Sequence, residues 1–315
     1  MPEQICGDVS VIMPAYNNAG TVARALASIA GQTVRPREVI VVDDGSSDGT
    51  IAAVRAMADR MNGVVLKLFR QANNGAGAAR NRAIAEAEGE WLAFLDADDE
   101  WLPAKLERSL AETAAPGLVM SSHNLWGIDD RGDHPIDSRS RYLANPQDPY
   151  RTLFLRGFIS SSTVLVRRDA AVAVGGFDAT LRSAQDYELW LAVLARAGDR
   201  FVTFEDRLLR YTLAESGITS LIDRKYRCSL AILHRHMGIL KRLAGPVLKP
   251  VLLRTAIIHW EAISGHRARG NLGKAALYLA LAPFRLAEML FRLPFAKGDR
   301  PDYLANLPPA ERVAL

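Results

Sequence analysis

The first hundred residues repeat one pattern four times: a short apolar run, then a polar loop, and after the first three loops a stretch with helical spacing. Short apolar runs predict buried strands, and apolar residues at i, i+3, i+4 and i+7 predict helices. Strands that alternate with helices predict an α/β fold with a mostly parallel sheet, right-handed crossovers and helices on both faces. The predicted strands are Val9 to Met13, Glu38 to Val42, Val64 to Phe69 and Trp91 to Leu95, and the helices follow at Val22 to Ile29, Ile51 to Met61 and Ala78 to Ala87.

Each predicted strand ends in residues that can contact a polar ligand. In an open α/β sheet, ligands bind beyond the carboxyl ends of the strands, so we expect the four loops to converge on one pocket. The residues concerned are Tyr16 and Asn17, Asp43 and Asp44, Arg70 with Asn73 and Asn74, and Asp96 to Asp99.

The last of these loops, LDADD from Leu95, is strongly acidic. If the chain stays extended there, Asp96 and Asp98 point to one side and Asp99 to the other. Two carboxylates so close need a compensating charge. Mg²⁺ or Mn²⁺ can supply it, because either ion takes its remaining ligands from phosphate and water. For an isolated D-x-D the alternative is a solvated turn that caps the next helix.

The glycine-rich turn NNGAGAARNRA, from Asn73, has neither the G-x-G-x-x-G pattern of a dinucleotide site nor a P-loop. It places Arg80 and Arg82 in the early turns of a helix, where the helix dipole and the guanidinium groups favour an anion. Two solvated arginines are the alternative. Their proximity to the acidic loop in the sheet favours contact with a nucleotide.

Charge is divided unequally within the net charge of +4. Residues 1–219 carry 23 Lys/Arg and 29 Asp/Glu, a net of −6, whereas residues 220–315 carry 16 and 6, a net of +10. A basic region suggests binding to nucleic acid or to an anionic membrane surface. No recognition motif supports nucleic acid, so a nucleic-acid partner is not expected.

Cys6 and Cys228 have no metal-ligand spacing, and Met1 to Gly7 lacks signal-peptide features. We therefore expect a cytoplasmic protein, and its basic region favours the inner face of the membrane.

Taken in order, the motifs resemble those of the family 2 glycosyltransferases over about two thirds of the chain. They are VIMPAYN, VVDDGSSDGT, N-x-G-x-x-x-A-R-N from Asn73, LDADD, and GGFD followed by QDYELW. The resemblance implies a GT-A fold of Rossmann-like type, inverting chemistry, and a nucleoside-diphosphate sugar donor, usually a UDP-sugar.

The resemblance also implies roles for individual residues. Asp98 would ligate the Mg²⁺ or Mn²⁺ that bridges the two phosphates. A carboxylate such as that of Asp44 can accept from the imide N–H of uracil, and Tyr16 offers a ring for stacking. Arg80 would contact the base or the diphosphate, and Asp96 would lie near the ribose. The implied donor-binding residues are Pro14, Ala15, Tyr16, Asn17, Asp43, Asp44, Asn74, Arg80, Asp96 and Ala97.

A second group of motifs follows the Gly175-Gly176 turn. Trp190, Val193 and Leu194 have the spacing of a buried helical stripe that begins near Gln185, which places Asp186 in the first turn. A carboxylate stabilised there by the helix dipole is the alternative explanation. The resemblance implies that Asp186 is the general base, which takes the proton from the acceptor hydroxyl while that hydroxyl attacks the anomeric carbon.

The chain departs from the family pattern in three places. Gln185 stands where many members have Glu. The run Thr212 to Glu215, directly after Tyr211, contains no His where relatives often have one, which puts a third protein ligand to the metal in doubt. His123, His234 and His236 are assigned to structure or surface. No Q-x-x-R-W segment follows the Asp186 helix, which argues against a processive synthase and for transfer of one sugar at a time.

The basic C-terminal region predicts helices over roughly Asp223 to Leu243, Val247 to Ser264 and Asn271 to Leu293. Its last helix has an uncharged run of ten residues, Ala275 to Phe284, too short for the roughly 20 that span a bilayer. Helical spacing groups Lys274, Arg285, Glu288 and Arg292 on one side and leaves the rest apolar. Two interpretations remain open: a cap packed on the catalytic domain, or a basic helix that brings the active site to a membrane acceptor.

These features predict a metal-dependent inverting glycosyltransferase domain over residues 1–219, with a donor half at about 1–100 and an acceptor half at about 101–219, followed by a basic helical region at 220–315. It would move a single sugar from a UDP-sugar to a glycan or lipid-linked acceptor in cell-surface glycan or glycolipid synthesis. One alternative is a nucleotidyltransferase, which would carry a basic glycine-rich signature where this chain has AYNNAG. The other is a non-catalytic sugar-nucleotide-binding protein.

Overall fold

The strands and helices of the first half follow the predicted order. A computed structural model describes residues 6–130, 132–198, 200–213 and 221–315. Its strands are β1 Cys6–Ala15, β2 Arg35–Asp43, β3 Val65–Gln71, β4 Trp91–Phe94, β5 Glu100–Trp101, β6 Met120–Asp129, β7 Gly132–Ile136, β8 Leu165–Arg167, β9 Phe201–Thr212 and β10 Ala310–Arg312. Its α-helices are α1 Val22–Ala30, α2 Thr50–Arg55, α3 Ala76–Ala85, α4 Lys105–Thr113, α5 Arg139–Leu143, α6 Pro149–Arg156, α7 Arg168–Ala173, α8 Gln185–Ala197, α9 Ile222–Arg242, α10 Leu248–Ala268 and α11 Leu272–Arg292.

All ten strands join one sheet in the order β10-β3-β2-β1-β4-β8-β6-β9-β5, with β7 paired to the far part of β6. The four strands predicted from the first hundred residues, β1 to β4, run parallel. Beyond β4 the sheet is mixed, since β8 is antiparallel to both β4 and β6 while β9 is parallel to β6. The predicted α/β sheet is confirmed, and its four parallel neighbours β1 to β4 lie within residues 1–100, the predicted donor half.

Strand residues alternate between two hydrophobic cores, one on each face of the sheet. In β1, Val11 and Met13 contribute to one core, which α1 and α4 cover, and Ile12 contributes to the other. The second core centres on Phe94, Phe177 and Trp190, whose rings meet edge to face with centroids 5.3 to 6.0 Å apart. Helices cover both faces, as predicted.

The C-terminal region is packed into the same molecule. Leu233 and Met237 of α9 and Ile258 of α10 are buried in the core that holds Trp190. Further on, β10 adds an antiparallel strand to β3 at the edge of the sheet. For α9 and α10 the structure therefore agrees with the cap interpretation. The predicted domain boundary at residue 219 lies outside the described residues.

The third C-terminal helix, α11, packs mainly on α10, and its buried residues are Ala275 and Met289. Across the described ranges, none of the helices combines the length and the hydropathy of a membrane span.

Candidate active site

The polar strand ends lie side by side because the parallel strands end in register. Ala15 at the end of β1 pairs with Asp43 at the end of β2, and Asp43 pairs with Arg70 of β3. The N–H of Asp44 donates to the Ala15 carbonyl at 2.8 Å. The predicted convergence of these loops is therefore present in the structure.

The loop after β1 is fixed to the loop after β2 by its own backbone. Asn17 adopts a left-handed conformation, with φ of 54°, and its N–H donates to Ser46 Oγ at 2.9 Å. The Ser47 N–H donates to Asn17 Oδ1, and the Ala19 N–H donates to Asp48 Oδ2. Half of the Tyr16 surface is exposed, so its ring is accessible to a ligand above these loops.

The paired aspartates are held differently from each other. Asp44 is buried and accepts from Gln71 Nε2 at 2.8 Å and from the N–H groups of Asn74 and Gly75 at 2.9 and 2.7 Å. Its carboxylate thereby fixes the glycine-rich turn, where Gly75 has a φ of 88° that a side chain would strain. Asp43 Oδ2 accepts from the Ser46 N–H, while Asp43 Oδ1 is buried and has no hydrogen-bond partner among the described residues.

The acidic loop does not stay extended, which corrects the expectation for Asp96 to Asp99. The Asp99 N–H donates to the Asp96 carbonyl at 3.0 Å, so the chain turns at Ala97 and Asp98. Asp99 is buried, where it accepts from Ser162 Oγ at 2.6 Å and from the Thr212 N–H at 3.2 Å. Burial, followed by the neighbouring Asp96, raises the pKa of Asp99 well above its usual range. Asp99 is therefore a structural link to β9.

Asp98 is partly exposed, and its backbone rather than its carboxylate is tied down. Its carbonyl accepts from the Arg24 guanidinium at 2.8 Å and from Thr212 Oγ1 at 2.7 Å. Burial, followed by the charge of Asp96, raises the pKa of the Asp98 carboxyl. A nearby cation would offset both effects.

Arg80 joins the two halves of the site. It is buried in the second turn of α3, and its guanidinium pairs with Asp96 Oδ1 at 2.5 Å and lies 5.3 Å from the centre of the Phe177 ring. Burial opposes its charge, but the charges of Asp96, Asp186 and Asp98 outweigh that effect and raise the pKa of Arg80. One guanidinium thus interacts with carboxylates from the acidic loop and from the predicted acceptor helix.

Arg82 does not contribute to this site, contrary to expectation. Its guanidinium donates to the Pro308 carbonyl at 2.6 Å and to Glu86 at 3.3 Å, because two residues along a helix is about 200° of rotation. It anchors the C-terminal segment. Asn81, between the two arginines, exchanges two hydrogen bonds with the Phe177 backbone at 2.7 and 2.8 Å.

Asp186 lies in the first turn of α8, as predicted. It is preceded by Ala184 in a left-handed conformation, φ of 58°, which costs an alanine about 1 kcal/mol and marks a constrained start to the helix. Asp186 Oδ2 accepts from Ser161 Oγ at 3.2 Å, and Oδ1 accepts from the Tyr187 N–H at 2.8 Å. Burial raises the pKa of Asp186, although Arg80 opposes the rise.

On the other side of α8, Glu188 faces the C-terminal region. It pairs with Arg235 of α9 at 2.8 Å and with Arg300 at 2.8 Å, and Arg235 also pairs with Asp178 of the GGFD motif at 2.7 Å. Burial alone would raise the pKa of Glu188, but contacts with His236 and Arg300 hold it far below its usual range. His236 is fully buried in this cluster, as a structural histidine would be.

Comparison with known proteins decides the family. Residues 10–175, more than half of the chain, match the model of Glycosyl transferase family 2. The chain belongs to this family. It is 33% identical over 206 residues to the succinoglycan biosynthesis protein ExoO of Rhizobium meliloti (strain 1021), which covers 61% of this chain and 57% of ExoO. It is 29% identical over 216 residues to the Escherichia coli UDP-Glc:alpha-D-GlcNAc-diphosphoundecaprenol beta-1,3-glucosyltransferase WfgD, which covers 67% of this chain and 79% of WfgD.

Solved structures confirm the fold of this family 2 chain. Mannosyltransferase PcManGT from Pyrobaculum calidifontis, in complex with GDP-Man and Mn²⁺, has a TM-score of 0.62 at 24% identity over 95% of this chain and 84% of its own. S. aureus TarS 1-349, in complex with UDP-GlcNAc, has a TM-score of 0.64 at 20% identity over 94% of this chain and 89% of its own. The predicted GT-A architecture and family resemblance are both confirmed.

The metal expected for a family 2 enzyme would meet only part of a coordination shell here. Asp99 is buried against Ser162 and Thr212, and Arg80 pairs with one oxygen of Asp96, so Asp98 is the partly exposed carboxylate of this loop that is not held by an arginine. No group of three or more His, Cys, Asp or Glu that could hold an ion occurs in the described ranges. Such a site fits an ion that takes most of its ligands from a diphosphate and water.

Several residues around the site were not predicted. Ser161 and Ser162, in a short 3-10 helix before β8, contact Asp186 and Asp99, and Thr212 contacts the acidic loop. The run of four hydroxyl residues from Ser160 to Thr163, directly before an apolar strand, was the available sequence signal. Arg182 lies near the Gly75 backbone and carried no such signal.

Proposed function

We propose that this protein is a metal-dependent inverting glycosyltransferase that moves one sugar from a UDP-sugar to an acceptor hydroxyl. The observation that carries the proposal is the position of Arg80: its guanidinium pairs with Asp96 of the acidic loop, and the charges of Asp98 and of Asp186 on α8 also raise its pKa. A donor bound beside the acidic loop and an acceptor beside α8 would then share one crevice, as transfer in a single displacement requires.

The donor would lie over the loops that follow β1, β2 and β3. Tyr16 would stack on the base, and the turn that Asp44 holds would shape the base and ribose pocket, together with Pro14, Ala15, Asn17, Asp43 and Asn74. The relatives support uridine, because WfgD is named for UDP-Glc and TarS is in complex with UDP-GlcNAc.

Asp98 would hold Mg²⁺ or Mn²⁺, and Asp96 with the neighbouring Ala97 would line the ribose side. The ion would stabilise negative charge on the departing diphosphate. Arg80 lies close enough to that charge to assist, and its pairing with Asp96 keeps the guanidinium in place. Mn²⁺ in the complex of PcManGT supports a divalent ion at this site.

Asp186 would act as the general base. Its raised pKa makes the carboxylate a better proton acceptor than an exposed aspartate, and Ser161 with the Tyr187 N–H fixes the orientation of the carboxyl group. When Asp186 takes the proton of the acceptor hydroxyl, the oxygen attacks the anomeric carbon from the side opposite the diphosphate. One displacement inverts that centre.

The acceptor is a lipid-linked glycan in this proposal, and the pathway is the synthesis of a cell-envelope polysaccharide. The support comes from the names of the relatives, since WfgD acts on a diphosphoundecaprenol-linked sugar and ExoO serves succinoglycan biosynthesis. Work at an undecaprenol-linked substrate would place the protein at a membrane surface.

The test is a donor panel measured by thermal shift and calorimetry with Mn²⁺, Mg²⁺ or EDTA. UDP-glucose, UDP-galactose and UDP-GlcNAc should raise the Tm in the presence of a divalent ion, whereas GDP-mannose and free nucleoside triphosphates should have little effect. The best donor is then incubated with a synthetic diphosphate-linked lipid acceptor, and product is detected by mass spectrometry. The proposal fails if no nucleotide sugar binds, or if a nucleoside triphosphate and a sugar phosphate are joined instead.

A further inference from the structure

The helix α11 exposes a wide apolar side, and its charged residues lie outside that side. Five of its large side chains are 54 to 75% exposed: Leu272, Leu277, Leu279, Phe284 and Phe291. At 100° per residue, the exposed apolar positions cover an arc of about 160° that contains no charged residue. We define this outer arc as Leu272, Gly273, Ala276, Leu277, Leu279, Ala280, Pro283, Phe284, Ala287, Leu290 and Phe291.

The charged and polar side chains of α11 find partners within the C-terminal region. Lys274 pairs with Asp223 of α9, and Tyr278 donates to the same carboxylate at 2.9 Å. Arg285 and Arg292 both pair with Glu288 on α11 itself. A water-exposed amphipathic helix normally has the opposite arrangement, with its apolar side buried. The outer arc is therefore built for surroundings that are not water.

Basic residues lie at both ends of the outer arc. Arg267 and Arg269 precede α11, Arg292 is its last residue, and Lys297 follows it. Between residues 264 and 298 there are six Lys and Arg and a single acidic residue, Glu288. A second copy laid along the arc would bring basic ends against basic ends in either direction, which opposes self-association. An anionic surface is complementary to both ends at once.

The helix that carries the outer arc packs on α10, and α10 contacts the residue next to the candidate base. Arg254 of α10 is buried with its guanidinium 5.2 Å from the centre of the Tyr187 ring, next to Asp186. The antiparallel hairpin of α10 and α11 thus connects the acceptor side of the crevice with the exposed arc.

We propose that the outer arc of α11 inserts into the interface of an anionic phospholipid bilayer, with the basic residues at its ends on the lipid phosphates. A helix of 21 residues is about 31 Å long, and an amphipathic helix of this kind lies in the interface plane, with its apolar face about 5 to 10 Å deep. The inference extends the lipid-linked acceptor of the proposed function, but membrane binding itself requires neither donor nor turnover.

The experiment is co-sedimentation of the full chain with vesicles of phosphatidylcholine and phosphatidylglycerol at 7:3, in 50 mM and in 500 mM NaCl. The test variant is Leu279→Ser/Phe284→Ser/Phe291→Ser. The matched control is Val65→Ser/Leu143→Ser/Val172→Ser, three exposed apolar residues elsewhere on the protein. The wild type should bind at least about tenfold more strongly at low salt than at high salt or to pure phosphatidylcholine. The test variant should lose at least about tenfold, and the control should match the wild type.

Three outcomes would overturn the inference: no sedimentation of the wild type, equal sedimentation of the test and control variants, or a dimer of wild-type chains in light scattering that the test variant abolishes. In the last case a second copy covers the arc. Donor binding by thermal shift is measured on all three proteins. Loss of vesicle binding with donor binding intact supports the arc, whereas vesicle binding without any donor binding removes the proposed function and leaves the arc in place.

Discussion

Asp186 and Glu188 lie two residues apart on α8 and meet opposite surroundings. Asp186 faces the crevice, where burial raises the pKa of its carboxyl and two hydrogen bonds hold it. Glu188 faces α9 and the C-terminal segment, where His236 and Arg300 outweigh burial and lower the pKa of its carboxyl. One helix therefore holds a carboxyl group with a raised pKa, the proposed base, and another that stays ionised as part of the packing. The difference separates reactivity from stability within a single helix.

The largest expected effect tests the crevice side. Asp186→Asn should lower transfer from the best donor by about 10² to 10⁴, because the acceptor hydroxyl loses its base. The fold should stay as stable as the wild type or become slightly more stable at pH 7, since the ionised form of a carboxyl with a raised pKa is the disfavoured one in the folded state. Product formation and thermal unfolding measure the two quantities.

The control for this substitution is Asp59→Asn, at an exposed position away from the crevice, which should change neither quantity. Near wild-type transfer by Asp186→Asn would remove Asp186 from the chemistry. A large loss of stability would mean that its role is structural.

The next effect tests the packing side. Arg235→Met should lower the free energy of unfolding by about 3 kcal/mol, because it removes one of the two arginines that pair with Glu188 and the ion pair of buried Asp178. Arg227→Met, at an exposed position on the same helix, should stay within about 0.5 kcal/mol of the wild type. Urea unfolding compares the two. Equal midpoints would show that the cluster contributes little to the packing of α9.

A third effect concerns the acidic loop. Asp98→Ala should abolish the increase in affinity for UDP that Mn²⁺ produces, a loss on the order of ten- to hundredfold, without changing the melting temperature of the free protein by more than a few degrees. Calorimetry with Mn²⁺ and with EDTA measures it. If the variant still bound UDP more tightly with Mn²⁺ than with EDTA, the assignment of Asp98 as a metal ligand would be wrong.

The smallest effect is a difference in pH dependence between the activity that depends on Asp186 and the stability that depends on Glu188. Because the pKa of Asp186 is raised, kcat/KM should fall as the pH drops through a value above the ordinary aspartate range, by about tenfold per unit below it. The stabilisation from Glu188, whose pKa is lowered, should be fully present above its ordinary value of about 4.3 and be lost only as the pH falls further, towards its folded value.

A pH-rate profile, with urea unfolding at the same pH values, measures both quantities. Activity should therefore decline on acidification before this stabilisation does. If the two declined together, the two sides of α8 would not be independent.

Much of the donor half was predictable because its signals are local. The strand and helix pattern set the parallel sheet, and the carboxyl ends of parallel strands in register must meet at one rim, which brought Tyr16, Asp43 and Asp44 together. The start of α8 at Gln185 also matched its apolar spacing. Such features depend on residues within a few positions of one another, so the sequence carries them directly.

Contacts between distant segments were not predictable in the same way. Arg80 and Arg82 look equivalent in the sequence, but helix rotation sends one to Asp96 and the other to Pro308. The turn at Ala97 and Asp98 buried Asp99 against Ser162, where an extended chain was expected.

The sequence by itself determined the α/β pattern, the family motifs, and the division between an acidic first part and a basic last part. Only the tertiary structure decided which carboxylates stay accessible, since that depends on which cations lie beside each one: Arg80 beside Asp96, and Arg235 with Arg300 beside Glu188. It also decided that the apolar side of α11 is exposed, and that Lys274 pairs with Asp223, which lies on α9 about fifty residues earlier in the chain. Spacing along one helix sorts its residues onto faces, but the neighbouring helices determine which face meets the solvent.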